Sequence, residues 1–172
     1  IVGLATATDA LVIVDEAYAD FGGESALPLV TDHANVAVVR TFSKAFALAG
    51  ARIGYVLASP SLVEDLRRVR LPYHLSSLSQ AAGLVALAHR EDAVRILDAV
   101  REQRDRILAT LPSMGARAFP SSANFVLFRS HHVAGRDVWQ GLVDRDVLVR
   151  DCSSWPHLDD CLRVTVGTPE EN

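Results

Sequence analysis

No apolar run in these 172 residues approaches the roughly 20 needed to span a bilayer, because Asp, Arg or His interrupts every hydrophobic stretch. A basic n-region followed by an apolar h-region is also missing, and position 1 is Ile rather than an initiator Met. The chain therefore reads as soluble, with a start that looks like a cut rather than a natural terminus. Cysteine is scarce. Cys152 and Cys161 lack metal-ligand spacing and cannot make a disulfide framework, so a reducing cytoplasm is the default. The 17 basic residues are dispersed among 21 acidic ones, for a formal net charge of −4. That leaves no footprint for nucleic acid or for an anionic membrane surface. Repeats, low-complexity tracts and long linkers are absent. None of the six histidines stands at ligand spacing, His131-His132 reads as a solvated loop pair, and no metal is expected.

What is present is a 49% apolar, 22% charged composition, which excludes disorder and suffices for a buried core. The length suits one domain, or one domain plus part of another. Three continuous apolar or β-branched runs come first: Leu11–Val14, Val36–Val39 and Arg52–Ala58. Each has the look of a strand buried on both faces of a sheet covered by helices. Ligands in such sheets sit beyond the carboxyl ends of the strands, so the polar residues that close the runs draw attention. Ser59-Pro60 is a fair N-cap and N1 pair for a helix that Pro72 stops. Ser77 to Arg90 is rich in Ala and Leu, and Glu91 to Leu111 is a long amphipathic stretch with Glu102–Arg106 and Arg101–Asp105 at i, i+4. After Pro112 the units shorten: strands over 116–119 and 124–128, a helix over 135–147, and strands over 148–151 and 162–166. This reads as a first domain over 1–92 and a small α+β domain, docked by the long helix, over 93–172. Pro169-Glu170-Glu171 looks like the first turn of a helix. Trp139, Trp155, Cys152 and Cys161 read as packing residues.

The segment from Thr41 to Tyr55 holds the clearest chemistry. Lys44 follows a strand end among small and apolar residues, where it is poorly placed for solvation. Burial lowers a lysine's basicity and supplies the free amine that imine chemistry needs. Thr41 and Ser43 offer hydroxyls and Arg52 a guanidinium, together able to hold an anionic group beside the amine. The plainer alternative is a surface lysine in a turn with Arg52 in a structural ion pair. Asp15 closes the first run with Tyr18 three residues on, so both can face one crevice. A carboxylate there can keep a heteroaromatic nitrogen protonated and a phenol can bond a ring oxygen. Otherwise the acid is a helix N-cap and the tyrosine core packing.

Taken in order, Asp15 and Tyr18, then Ser43-Lys44 and Arg52, resemble the fold-type I pyridoxal 5′-phosphate enzymes, specifically the class I/II aminotransferases. Within that group Val14–Tyr18, Thr41–Phe46, Arg70–Ser76 and Leu162–Thr168 are similar to the histidinol-phosphate aminotransferase family. The resemblance covers nearly the whole chain. It implies an α/β fold: part of a large domain with a mainly parallel sheet and flanking helices, plus most of a small α+β C-terminal domain. It implies pyridoxal 5′-phosphate as cofactor and transamination between histidinol phosphate and 2-oxoglutarate, giving imidazole-acetol phosphate and glutamate in histidine biosynthesis.

By the same resemblance Lys44 is the catalytic lysine that bonds the cofactor and shuttles the proton. Asp15 holds the pyridinium nitrogen protonated, and Tyr18 bonds the ring's phenolic oxygen. Ser43 and Arg52 grip the cofactor phosphate, with Thr41 a weaker candidate. Arg163 pairs in a fork with the α-carboxylate of the amino donor. Arg150 is assigned to the phosphate of histidinol phosphate, and Asn124 is a further substrate-side candidate. The active site in this family also takes residues from a partner subunit, which implies a homodimer; nucleic acid and membrane partners are not implied. The family's glycine-rich phosphate loop, its ring-stacking aromatic, the Asn-Pro upstream of Asp15 and the closing helix are not among these residues. Three other readings share the motifs: an aromatic-amino-acid aminotransferase, a decarboxylase of a phosphorylated amino acid, and an aminotransferase-like sensing domain of a transcriptional regulator.

Overall fold

Valine and isoleucine, branched at Cβ, crowd a helix but suit a pleated strand. The computed structural model, which describes residues 1–172, accordingly puts β1 at Val12–Asp15 and β2 at Val36–Thr41. It has two compact units, Ile1–Ile96 and Leu97–Asn172. The break falls inside a helix, slightly beyond the expected boundary after residue 92.

In the first unit, α1 (Val2–Ala7) precedes β1, and α2 (Leu29–Asp32) precedes β2. Then come β3 (Gly54–Ala58), α3 (Pro60–Val69), α4 (Ser77–Ala88) and α5 (Arg90–Thr110), which runs on into the second unit. The sheet order is β1-β2-β3. β1 and β2 are parallel, with Asp15 opposite Val39, whereas β3 runs antiparallel to β2, with Thr41 opposite Gly54. A parallel return needs a crossover of a dozen residues or more, usually helical. Residues 42–53 contain only the 3₁₀ turn Ala49–Ala51, so the chain folds straight back. Gly54 permits this approach, because a Cβ there would lie 2.9 Å from the Arg40 carbonyl oxygen.

Val36 and Val38 are fully buried, and Val36 packs with Ala5 and Val12 against Val14, Leu29 and Val30. Burial on both faces, expected of all three strands, holds only for the amino-terminal half of β2. Ile13 on the edge strand β1 is 61% exposed and Tyr55 on β3 is 41% exposed, and the register puts them on opposite faces, so the outer strands leave part of each face open. Ser59 stands before α3 with Pro60 at its first turn, yet its hydroxyl donates to the Ala34 carbonyl instead of capping the helix. Ser76 does cap α4, accepting from the Ser79 amide. On α5 the observed ion pairs include Arg95–Asp92 and Arg101–Asp98 at i, i+3. Arg106, expected to meet Glu102, reaches the Pro169 carbonyl at 3.0 Å.

In the second unit β4 (Ala116–Ala118), β5 (Phe125–Ser130), β6 (Arg150–Asp151) and β7 (Leu162–Thr165) form an antiparallel sheet in the order β4-β5-β7-β6. Ala116, Phe128 and Leu162 make its core, joined by Val138 and Trp139 of α6 (Gly135–Val143). α6 ends short of the expected residue 147. Its last turn gives way to a tight reversal in which Asp146 takes a left-handed backbone. Cys152 and Cys161 are buried free thiols, and Trp139 donates to the Val149 carbonyl, a packing role with a satisfied N–H. Trp155 is the exception: it is 45% exposed, with the Arg150 guanidinium 5.8 Å from its ring centre. No helix is long and apolar enough to cross a membrane.

Candidate active site

The candidate residues fall into two groups, one in each unit. In the first, Asp15 ends β1 and is exposed, one oxygen accepting from the Ala17 amide at 2.9 Å. This short side-chain-to-backbone bond turns the chain and brings Tyr18 round beside the strand end. The ammonium of Lys44 lies 5.4 Å from the centre of the Tyr18 ring, so these two meet across the ends of β1 and β2. Thr41 ends β2, and its hydroxyl donates to the Ile53 carbonyl and accepts from the Ser43 amide. Thr41 is thus committed to shaping the loop that carries Ser43 and Lys44.

Phe42 is buried against Phe46 and Tyr55, and Ala45 is buried too, so the loop presents Lys44 outward. The expectation of a poorly solvated lysine is corrected here. Lys44 is exposed, because its small and apolar neighbours turn into the unit rather than over the amine. Arg52 is exposed, makes no structural ion pair and donates to the Ala49 carbonyl at 3.0 Å. Its backbone is left-handed (φ 53°, ψ 46°), a conformation costing a non-glycine residue on the order of 1–3 kcal/mol. Such strain is held where the surroundings over-determine it. Here Ser79 of α4 bonds the preceding Ala51 carbonyl at 2.8 Å.

Glu16, Arg40 and Ser25, absent from the sequence-based candidates, form the strongest polar cluster of this unit. Glu16 is 5% exposed. Its carboxylate accepts from the Ala26 amide, from the Ser25 hydroxyl, and from Arg40 through Nε at 3.0 Å and Nη2 at 2.8 Å. Burial pushes the Glu16 carboxyl up, but the bonds from Ala26, Arg40 and Ser25, with the attraction to Arg40, outweigh it and hold the group below its ordinary value. A depressed carboxyl stabilises the fold above the unfolded-state value near 4.5, and that contribution is lost as pH falls through the folded-state value. The stability gap between the native chain and Glu16→Gln is therefore expected to be flat above about pH 5 and to narrow below it. Urea unfolding across that range checks this, and a gap constant down to about pH 3 would refute it. One signal for the cluster was legible: an acid between Asp15 and Tyr18, with an arginine just before Thr41. Lys44, outside this cluster, is the only lysine in the sequence, against sixteen arginines.

In the second unit, Arg150 and Arg163 stand directly opposite each other on β6 and β7. Like charges so placed repel, and neither has a carboxylate within ion-pairing distance. The Arg163 guanidinium lies 4.8 Å from the Phe125 ring centre, with its Nε buried and without a partner. A pair of cations built without local compensation suits an anionic ligand. Asn124 is half-buried just ahead of β5, its carbonyl accepting from Val166.

The family model for aminotransferase class I and II matches residues 1–172. A histidinol-phosphate aminotransferase from Frankia casuarinae is 51% identical over 164 residues, 94% of this chain and 40% of its own length. One from Corynebacterium efficiens is 46% identical over 171 residues, 96% of this chain and 44% of that protein. The crystal structure of histidinol-phosphate aminotransferase from Sinorhizobium meliloti in complex with pyridoxal-5'-phosphate superimposes with a TM-score of 0.81. It is 30% identical and covers 94% of this chain and 45% of that one. The chain thus spans less than half the length of these relatives. Its 172 residues belong to the aminotransferase class I and II family.

Proposed function

We propose that this chain is the lysine-bearing part of a pyridoxal 5′-phosphate-dependent histidinol-phosphate aminotransferase. The observation that carries the reading is the meeting of Lys44, the sequence's only lysine, with Tyr18 beyond the strand end that Asp15 closes. The names of the relatives point the same way.

The donor set fits the cofactor. Asp15 supplies a carboxylate for the ring nitrogen, Tyr18 a phenol for the ring oxygen, Ser43 and Arg52 a hydroxyl and a guanidinium for the phosphate, and Lys44 the amine. Thr41 supports them through the Ser43 amide. When bound, the cofactor supplies an electron sink for the carbon that bears the substrate amine. Lys44 Nζ takes the proton from that carbon and returns it on the far side of the exchange. Asp15 keeps the ring nitrogen protonated, and the Tyr18 hydroxyl bonds the ring oxygen. Arg163 receives the carboxylate of glutamate or 2-oxoglutarate as a fork, and Arg150 receives the phosphate of histidinol phosphate. Asn124 completes the substrate side. The amine passes from histidinol phosphate to 2-oxoglutarate, leaving imidazole-acetol phosphate and glutamate.

The proposal includes a homodimer, as is usual for this family, and a cytoplasmic setting, which the buried free thiols Cys152 and Cys161 support. It also includes a division near residue 92 into a cofactor-bearing part and a small domain. Its test is the full-length protein assayed for glutamate formed from 2-oxoglutarate, with histidinol phosphate or phenylalanine as donor. The expected kcat/KM favours histidinol phosphate by at least about 10²-fold, the scale of one or two charge-assisted contacts. Equal values, or a preference for phenylalanine, would overturn the substrate.

Arg52 gives a separate prediction. Arg52→Ala is expected to raise the Kd for pyridoxal 5′-phosphate about 10-fold or more while leaving the ratio between amino donors unchanged. Titrating cofactor into the variant checks this, and unchanged affinity would remove Arg52 from the phosphate.

A further inference from the structure

We propose that the buried Glu16–Arg40 pair is a positioning unit that fixes Asp15, Tyr18 and the Thr41–Lys44 turn for the cofactor, an inference that rests on the function proposed above. Successive residues of a strand point to opposite faces. Glu16 therefore lies directly behind Asp15, and Arg40 directly behind Thr41. The Glu16 amide donates to the Val39 carbonyl at 2.9 Å, so backbone and side chain join the same two strand ends. From there the cluster reaches outward in two directions. Ser25 donates to Glu16 and accepts from Arg40 Nη2 at 3.0 Å, which ties in the segment leading to Ala26. Arg40 Nη1 stands 3.7 Å from Asp20, two residues beyond Tyr18. Tyr55 stands opposite Arg40 on the neighbouring strand β3.

Stability alone is a poor reason for such a cluster. A buried ion pair can often be replaced by apolar side chains of similar volume at no loss, since the desolvation of two charges offsets their attraction. What apolar packing cannot supply is direction. Here the fork of Arg40 on one oxygen of Glu16, with Ala26 on the other, leaves neither strand end free to turn. The residues it braces are those that must hold a planar ring, where small misplacements are costly.

The test uses the full-length protein and three variants: Glu16→Gln, Arg40→Lys, and the apolar double Glu16→Leu with Arg40→Met. Each is read for thermal midpoint, for the Kd of pyridoxal 5′-phosphate, and for the pH at which the visible band of the bound cofactor changes. The expected result is a Kd raised about 10-fold or more in all three, with a displaced band transition, even where the double variant melts no lower than the native protein. Arg40→Lys keeps the charge and loses the fork, so it reads direction separately from charge if Glu16→Gln does not fold. Native Kd and an unmoved band in variants that merely melt earlier would overturn the positioning role. A native protein that binds no cofactor would instead overturn the proposed function and take this inference with it, so the two failures are distinct.

Discussion

The full-length protein carrying Lys44→Ala, supplied with pyridoxal 5′-phosphate, is expected to show only the spectrum of the free cofactor and to lose at least about 10⁴-fold in turnover. Two roles disappear with one side chain, the covalent anchor and the group that moves the proton. The composition makes the attribution unusually clean, because residues 1–172 contain no other lysine. Reducing the native holoprotein with borohydride and digesting with trypsin exploits this. Trypsin cuts after Arg40 and Arg52, and a blocked Lys44 leaves one cofactor-bearing peptide, Thr41–Arg52, where free Lys44 would leave two fragments. A visible band retained by the variant, or a label on another peptide, would move the catalytic lysine elsewhere.

Arg163→Ala is expected to cost about 3 kcal/mol in kcat/KM for glutamate, roughly 10²-fold, mostly as a raised KM. The physical case is the uncompensated pair on β6 and β7. Arg163 faces Arg150, stacks on Phe125 and holds a buried Nε without a partner. Removing Arg163 also relieves repulsion on Arg150, so the folded state is expected to suffer little. Steady-state kinetics with glutamate and with histidinol phosphate separate the two cations. Normal glutamate kinetics in the variant would take the carboxylate fork away from Arg163.

The positions of Asp15, Thr41 and Lys44 at strand ends were legible because β-branched runs stop abruptly at polar residues, a pattern set by local propensity and burial. The direction of β3 was not. It depends on whether residues 42–53 can form a crossover helix, and the turns at Ala47 and Arg52, both left-handed, prevent it. Exposure misled for a related reason. The apolar character of Ile13 and of the residues around Lys44 says that a face can be buried, not that anything in these residues covers it. The Glu16–Arg40 cluster joins positions far apart in sequence, and only the parallel register of β1 and β2 places them together. Its single-residue trace, an acid between two candidate site residues, reads as a solvated side chain until the fold encloses it. The pairing of Arg150 with Arg163 was hidden in the same way, since a strand as short as β6 has almost no periodicity to reveal its partner.

The most direct test of the central claim is the visible spectrum of the full-length protein with pyridoxal 5′-phosphate, recorded before and after histidinol phosphate is added. The account predicts that the band of the lysine-linked cofactor gives way to that of the pyridoxamine form, and that 2-oxoglutarate then restores it. A band that ignores histidinol phosphate, or one that never forms, would contradict it.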